Sequence, residues 1–162
     1  IVGRLVRLLE HLGWNDFLLN GEPRWDRIVF AGHSQGGGHA ALLGKLHTVE
    51  RAMMFNSTES APWTIRANET FATPADRYYG FTSIHDVPIY NANIQGWAQM
   101  ELPGPLTWVN RAGPLPTGVH QLRTSTLARD GNEHGTTSLD SSVPLVDDEI
   151  LFVDAWCHMM GP

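Results

Sequence analysis

Residues 25–41, Trp-Asp-Arg-Ile-Val-Phe-Ala-Gly-His-Ser-Gln-Gly-Gly-Gly-His-Ala-Ala, restrict the possible folds more than any other part of the chain. Ile28, Val29 and Phe30 are an unbroken run of β-formers, the pattern of a strand buried on both faces. Gly32-His33-Ser34-Gln35-Gly36 follows with the spacing G-x-S-x-G, and an apolar helical segment, residues 40–46, follows that. A strand that turns sharply into a helix strains the backbone at the corner, so the glycines bracketing Ser34 are expected to be needed there. Such a corner lifts the Ser34 hydroxyl clear of a sheet. It also leaves the Gln35 backbone N–H in the first turn of a helix, where donors lack partners and the dipole favours negative charge. A nucleophile beside an oxyanion site needs this arrangement. The plainer alternative is a glycine-rich turn with an incidental serine.

Around this corner the chain alternates. Val2, Leu5, Leu9 and Leu12, widened by Val6 and Leu8, face Arg4, Arg7, Glu10 and His11, which predicts an amphipathic helix closed by Gly13. Residues 13–26 read as a connection with a turn at Gly21-Glu22-Pro23. The helix after Ser34 is apolar nearly all round, with Lys45 and His47 at its wet end. Ala52-Met53-Met54-Phe55 predicts a second buried strand. Helix, strand, helix, strand implies parallel strands with right-handed crossovers, an α/β fold with a mostly parallel sheet flanked by helices.

Residues 57–76 read as a long loop in which Trp63 and Phe71 cover the sheet or line a pocket. Asn56-Ser57-Thr58 and Asn68-Glu69-Thr70 match the glycosylation sequon. A third strand over residues 77–83 runs into Ile84-His85-Asp86. Ligands of parallel sheets bind at the C-terminal ends of the strands, so Asp86 is well placed for a site. Residues 89–101 predict a short helix around Trp97. Residues 102–118 carry four prolines and three glycines and predict an irregular loop, with Trp108 packed in it. Residues 119–128 predict a fourth strand, less apolar and so nearer an edge. The turn-rich loop Arg129-Asp130-Gly131-Asn132-Glu133-His134-Gly135 follows. Asp147-Asp148-Glu149 then open a last helix whose stripe Ile150, Val153, Cys157 and Met160 faces the core.

Gly32-His33-Ser34-Gln35-Gly36 resembles the nucleophile elbow of α/β-hydrolases. The longer string through Gly37-Gly38-His39-Ala40-Ala41 is similar to that of a group of bacterial α/β-hydrolases. The resemblance covers the elbow and the order of elements after it. It implies a triad in the chain order serine, acid, histidine, each after a strand, and Ser34, Asp86 and His134 fit that order. In those roles His134 takes the Ser34 proton, Asp86 orients the imidazole and the Gln35 N–H binds the oxyanion. Asp76 and Glu59 compete as the acid; His85, His33, His39 and His120 compete as the base. The resemblance also implies strands before the elbow. The 162 residues then read as one domain, the C-terminal part of such a fold, with the second oxyanion donor and any targeting sequence expected upstream.

These residues lead to a serine hydrolase acting on a small-molecule carboxylic ester without cofactor or metal. Two other classes compete. Gly36-Gly37-Gly38-His39-Ala40-Ala41 matches the dinucleotide fingerprint G-x-G-x-x-A, although Gly32 rather than Gly36 stands at the strand end. A non-catalytic interaction domain on the same scaffold is the other. The net charge of −6 disfavours nucleic acid as a partner, and no apolar run reaches the length of a membrane span. The single cysteine, Cys157, rules out an internal disulfide and reads as a small core residue. Localisation and oligomeric state are left open.

Overall fold

The computed structural model describes residues 2–57 and 70–161. The chain opens with helix α1 (Val2–His11) and a hairpin of β1 (Leu18–Leu19) and β2 (Glu22–Pro23). It continues through β3 (Val29–His33), α2 (Gln35–Leu46), β4 (Arg51–Phe55), β5 (Tyr78–Ser83) and α3 (Val87–Gln99). Then come β6 (Leu106–Trp108), β7 (Gln121–Thr124), a hairpin of β8 (Leu145–Val146) and β9 (Glu149–Ile150), and α4 (Val153–Met160). Five strands form one parallel sheet in the order β3-β4-β5-β7-β6. This is the α/β architecture expected from the alternation of elements.

The central strands β4 and β5 bury both faces, and their side chains divide by parity. Ala52 and Met54 of β4 and Tyr78 of β5 pack with Ala41 of α2 and Trp97 of α3 on one face. Met53 and Phe55 of β4 and Tyr79 and Phe81 of β5 pack with Phe152, Ala155 and Met159 on the other, where α4 lies. This is the period-2 alternation of a pleated strand, with apolar residues on both faces of β4 and β5 because helices cover both sides. Phe81 is fully buried and meets the Phe152 ring edge-on at 4.9 Å. Burial of a side chain of this size contributes about 1.5–3 kcal/mol.

Several expectations are corrected. β3 is an edge strand of the described sheet and leaves Val29 41% exposed, so it is not buried on both faces. The connection before it holds the β1–β2 hairpin, whose turn residues Asn20 and Gly21 both have positive φ, as a two-residue hairpin loop of the primed type requires. Lys45 is buried, its ammonium 5.5 Å from the Phe71 ring centroid, while Leu46 is the exposed end of α2. The aliphatic stem of lysine tolerates such burial. Phe71 itself packs edge-on against Tyr78 and so covers the sheet. Trp63, Glu59 and the Asn68 sequon lie outside the described residues.

The proline-rich stretch after α3 contains β6, which pairs with β7 and takes the sheet edge, so β7 is interior. Trp108 of β6 stacks under the Arg123 guanidinium at 3.9 Å. Asp147 and Asp148, both at positive φ, turn the β8–β9 hairpin and do not open a helix. Helix α4 therefore starts later and in another register. Phe152, Ala155 and Met159 face the core, whereas Val153, Cys157 and Met160 are exposed. Cys157 is thus a surface thiol rather than a core residue.

At the N-terminal ends of the strands, His120 is buried against Tyr79, with ring centroids 4.2 Å apart, and its Nδ1–H donates to the Tyr78 carbonyl at 3.0 Å. Desolvation lowers its pKa from 6.5. The bond to Tyr78 and the charge of Asp76 oppose that shift, while His158 and Arg51 reinforce it. Above pH 6.5 the ring is neutral in both the folded and the unfolded chain. As pH falls below that value the unfolded chain takes the proton first, so stability is lost. Wild-type protein should therefore lose more of its thermal midpoint between pH 7 and pH 5 than His120→Gln does, as followed by circular dichroism.

Candidate active site

Ser34 sits between β3 and α2 with φ 55° and ψ −126°, a region that L-residues avoid. A residue held there costs on the order of 1–3 kcal/mol. The surrounding hydrogen bonds offset that strain. The Ser34 N–H donates to the Phe55 carbonyl at 2.9 Å, and the Ser34 carbonyl accepts the Gly37 N–H at 3.0 Å. Ser34 occupies the N-cap position of α2, where a serine hydroxyl ordinarily bonds the first turn, yet its side chain makes no capping bond. The hydroxyl is therefore not spent on the helix.

The corner depends on glycine, though not at both expected positions. A Cβ on Gly32 would lie 2.1 Å from the Gly36 carbonyl carbon and oxygen. A Cβ on Gly37 would lie 2.3 Å from the Ser57 Cβ and 2.9 Å from the Gly32 oxygen. Gly36 has open space around it, so the sharp turn makes Gly32 and Gly37, not Gly36, the obligatory pair. The Gly36-Gly37-Gly38 run lies inside the first turn of α2. Gln35 begins that helix, so its N–H has no carbonyl four residues back within it.

Asp86 ends the segment after β5 and holds the N-cap position of α3. Aspartate is a strong N-cap, but this side chain also makes no capping bond. Its Oδ2 instead accepts the Nδ1–H of His134 at 2.6 Å, across 48 residues of chain. The carboxylate is buried, while the His134 side chain remains 34% exposed. Nδ1 donating to a carboxylate leaves Nε2 as the acceptor nitrogen of a neutral ring.

The competing residues are distributed by the same frame. Asp76 stands before β5 and His120 before β7, at the opposite ends of the strands from Ser34 and Asp86. His85 bonds the Ser125 carbonyl through Nε2 at 3.0 Å. His39 is exposed on α2. His33 lies against the site, its Nε2–H donating to the His134 carbonyl at 2.7 Å and its ring centroid 4.5 Å from that of His134. Asn56 also reaches this loop, through Nδ2 to the carbonyls of His134 (2.7 Å) and Glu133 (3.3 Å). The sequence marks Asn56 only as a glycosylation acceptor, a role its complete burial precludes in the folded chain. The available signal was a polar residue ending a buried strand.

Among the described residues no group of three or more His, Cys, Asp or Glu side chains is arranged to hold a metal ion, and no helix is long and apolar enough to cross a membrane. Comparison of the chain with protein-family models, curated proteins and solved structures found no match to any of them.

The glycine geometry separates three substitutions. Gly32→Ala and Gly37→Ala should each destabilise the protein by about 1–3 kcal/mol or more, because a methyl group is forced into backbone or a short side chain. Gly36→Ala should be neutral or stabilising by up to about 1 kcal/mol, because alanine is the better helix former. Urea unfolding of the three variants beside wild type measures the difference.

Proposed function

We propose that the chain is a serine hydrolase of the α/β type that transfers an acyl group from a small-molecule carboxylic ester to water. The Asp86–His134 hydrogen bond carries this reading. It joins an acid and a base that the chain order singled out, and it forms at the expense of a helix cap. The released Ser34 hydroxyl on its strained corner is the second support. The G-H-S-Q-G string, with its resemblance to α/β-hydrolase elbows, is the third.

In the reaction, Ser34 Oγ attacks the ester carbonyl carbon as His134 Nε2 takes the hydroxyl proton. The oxygen that gains charge is bound by the Gln35 N–H at the positive end of α2. The C–O bond to the alcohol then breaks, and His134 returns its proton to the departing alkoxide. Water attacks the acyl-serine in turn and gives its proton to His134. The carboxylic acid leaves, and Ser34 regains its proton from His134. Asp86 stays ionised throughout and stabilises the imidazolium that forms twice per cycle. Base catalysis and an oxyanion donor typically supply factors of ~10² to 10⁴ each.

Hydrolysis of p-nitrophenyl esters of increasing acyl length tests the reading. Ser34→Ala and His134→Ala should lower kcat by roughly 10³-fold or more, and Asp86→Asn by a similar factor because it reverses the tautomer preference. The thermal midpoint of Ser34→Ala should stay close to wild type, whereas that of His134→Ala should fall, because the buried Asp86 carboxylate loses its partner. Turnover that survives Ser34→Ala would contradict the assignment.

A further inference from the structure

We propose that Asn56 and His33 are positioning residues that together clamp the backbone carbonyl of His134 and so fix its imidazole against Asp86. The inference rests on the hydrolase reading for its kinetic consequence and on geometry alone for its structural one.

Asn56 follows β4, has φ 39° and is fully buried. Its Nδ2 donates to the carbonyls of His134 at 2.7 Å and Glu133 at 3.3 Å. Its Oδ1 accepts the Thr82 hydroxyl and the Ser83 N–H, both at 2.9 Å. A backbone N–H only donates and a backbone carbonyl only accepts, so the amide has one possible orientation. Thr82 Oγ1 in turn accepts Asn93 Nδ2 of α3 at 3.0 Å. The amide thereby makes two donor and two acceptor bonds, none of them to solvent.

The His134 carbonyl has two lone pairs. Asn56 Nδ2 takes one, and His33 Nε2–H takes the other at 2.7 Å. His33 is the last residue of β3 and precedes Ser34 directly. Ser83 is the last residue of β5 and stands three positions before Asp86. The clamp therefore ties the backbone of the base to the strand ends that carry the nucleophile and the acid. Any shift of the His134 loop relative to those two groups must break a hydrogen bond in a buried network, where an unmade bond is costly. A misplacement of about 1 Å in a reacting group can reduce rate by roughly 10²-fold, which is the scale on which such a clamp matters.

The tests are substitutions at the two donors, read by p-nitrophenyl acetate kinetics and by nitrogen-15 NMR of the His134 ring. Asn56→Asp keeps an acceptor for Thr82 and Ser83 but sets a carboxylate oxygen against the His134 carbonyl. It should lower kcat roughly 10- to 100-fold with KM within about twofold. The single Nδ1–H tautomer expected of the wild-type ring should become a mixture. His33→Phe, which removes the donor but keeps a ring, should do the same, and His33→Gln, which restores a donor, should recover most of kcat. If Asn56→Asp does not fold, the two His33 variants decide. Unchanged kcat and an unchanged tautomer in both Asn56→Asp and His33→Phe would overturn the clamp, as would an effect confined to KM. If the wild-type protein hydrolyses no ester, the hydrolase reading falls, and the ring tautomer alone decides whether the clamp stands.

Discussion

The Asp86 carboxylate is withheld from the helix it begins. An aspartate at an N-cap normally bonds the first turn, and losing such a cap typically costs ~1 kcal/mol. Here its Oδ2 goes to the His134 Nδ1–H instead, at 2.6 Å. Ser34 repeats the pattern two crossovers earlier, with its hydroxyl also free of the helix it caps. Two helices thus start on side chains that could stabilise them and do not. Because folding margins of native domains are only about 5–15 kcal/mol, such forgone stability is expected where side chains serve something other than the fold.

The parallel sheet makes that arrangement possible. Every strand ends on the same side, so His33, Asn56, Ser83 and Thr124 converge from β3, β4, β5 and β7. Two asparagines bracket those ends in the same way. Asn56 Oδ1 accepts Thr82 Oγ1 and the Ser83 N–H, and Asn110 Oδ1 accepts Thr124 Oγ1 and the Ser125 N–H at 3.0 and 2.8 Å. Each holds a pair of neighbouring strands together one step beyond the ladder, where backbone donors would otherwise need other partners. Only the first bracket turns its amide nitrogen toward the His134 loop. Asn110 turns its own to the Ser125 hydroxyl.

The sequence made the elbow legible because strain and close packing leave few residues to choose from. Asp86 was legible because a buried strand runs straight into it, and His134 because a turn-rich loop sets it after another. What escaped was set by context. Leu106-Thr107-Trp108 is too short and too enclosed by prolines to show a strand period, so β6 and the interior place of β7 were invisible. Asp147-Asp148 carries the acidity of a helix start, yet its backbone makes a hairpin turn. That shift moved the helix register and exposed Cys157. Gly36 and Gly37 are the same residue type one position apart, and only the fold distinguishes the one that is crowded from the one that is not. Asn56 offered only its place at the end of a buried strand, because its four partners come from residues 82, 83, 133 and 134.

The central claim is that the fold activates the Ser34 hydroxyl. The most direct measurement is the intact mass of the protein after brief treatment with a fluorophosphonate, with heat-unfolded protein and Ser34→Ala treated alongside. The account predicts one covalent adduct on the native chain and none on either control. Folded protein that takes up no adduct, or an adduct that persists in Ser34→Ala, would contradict it.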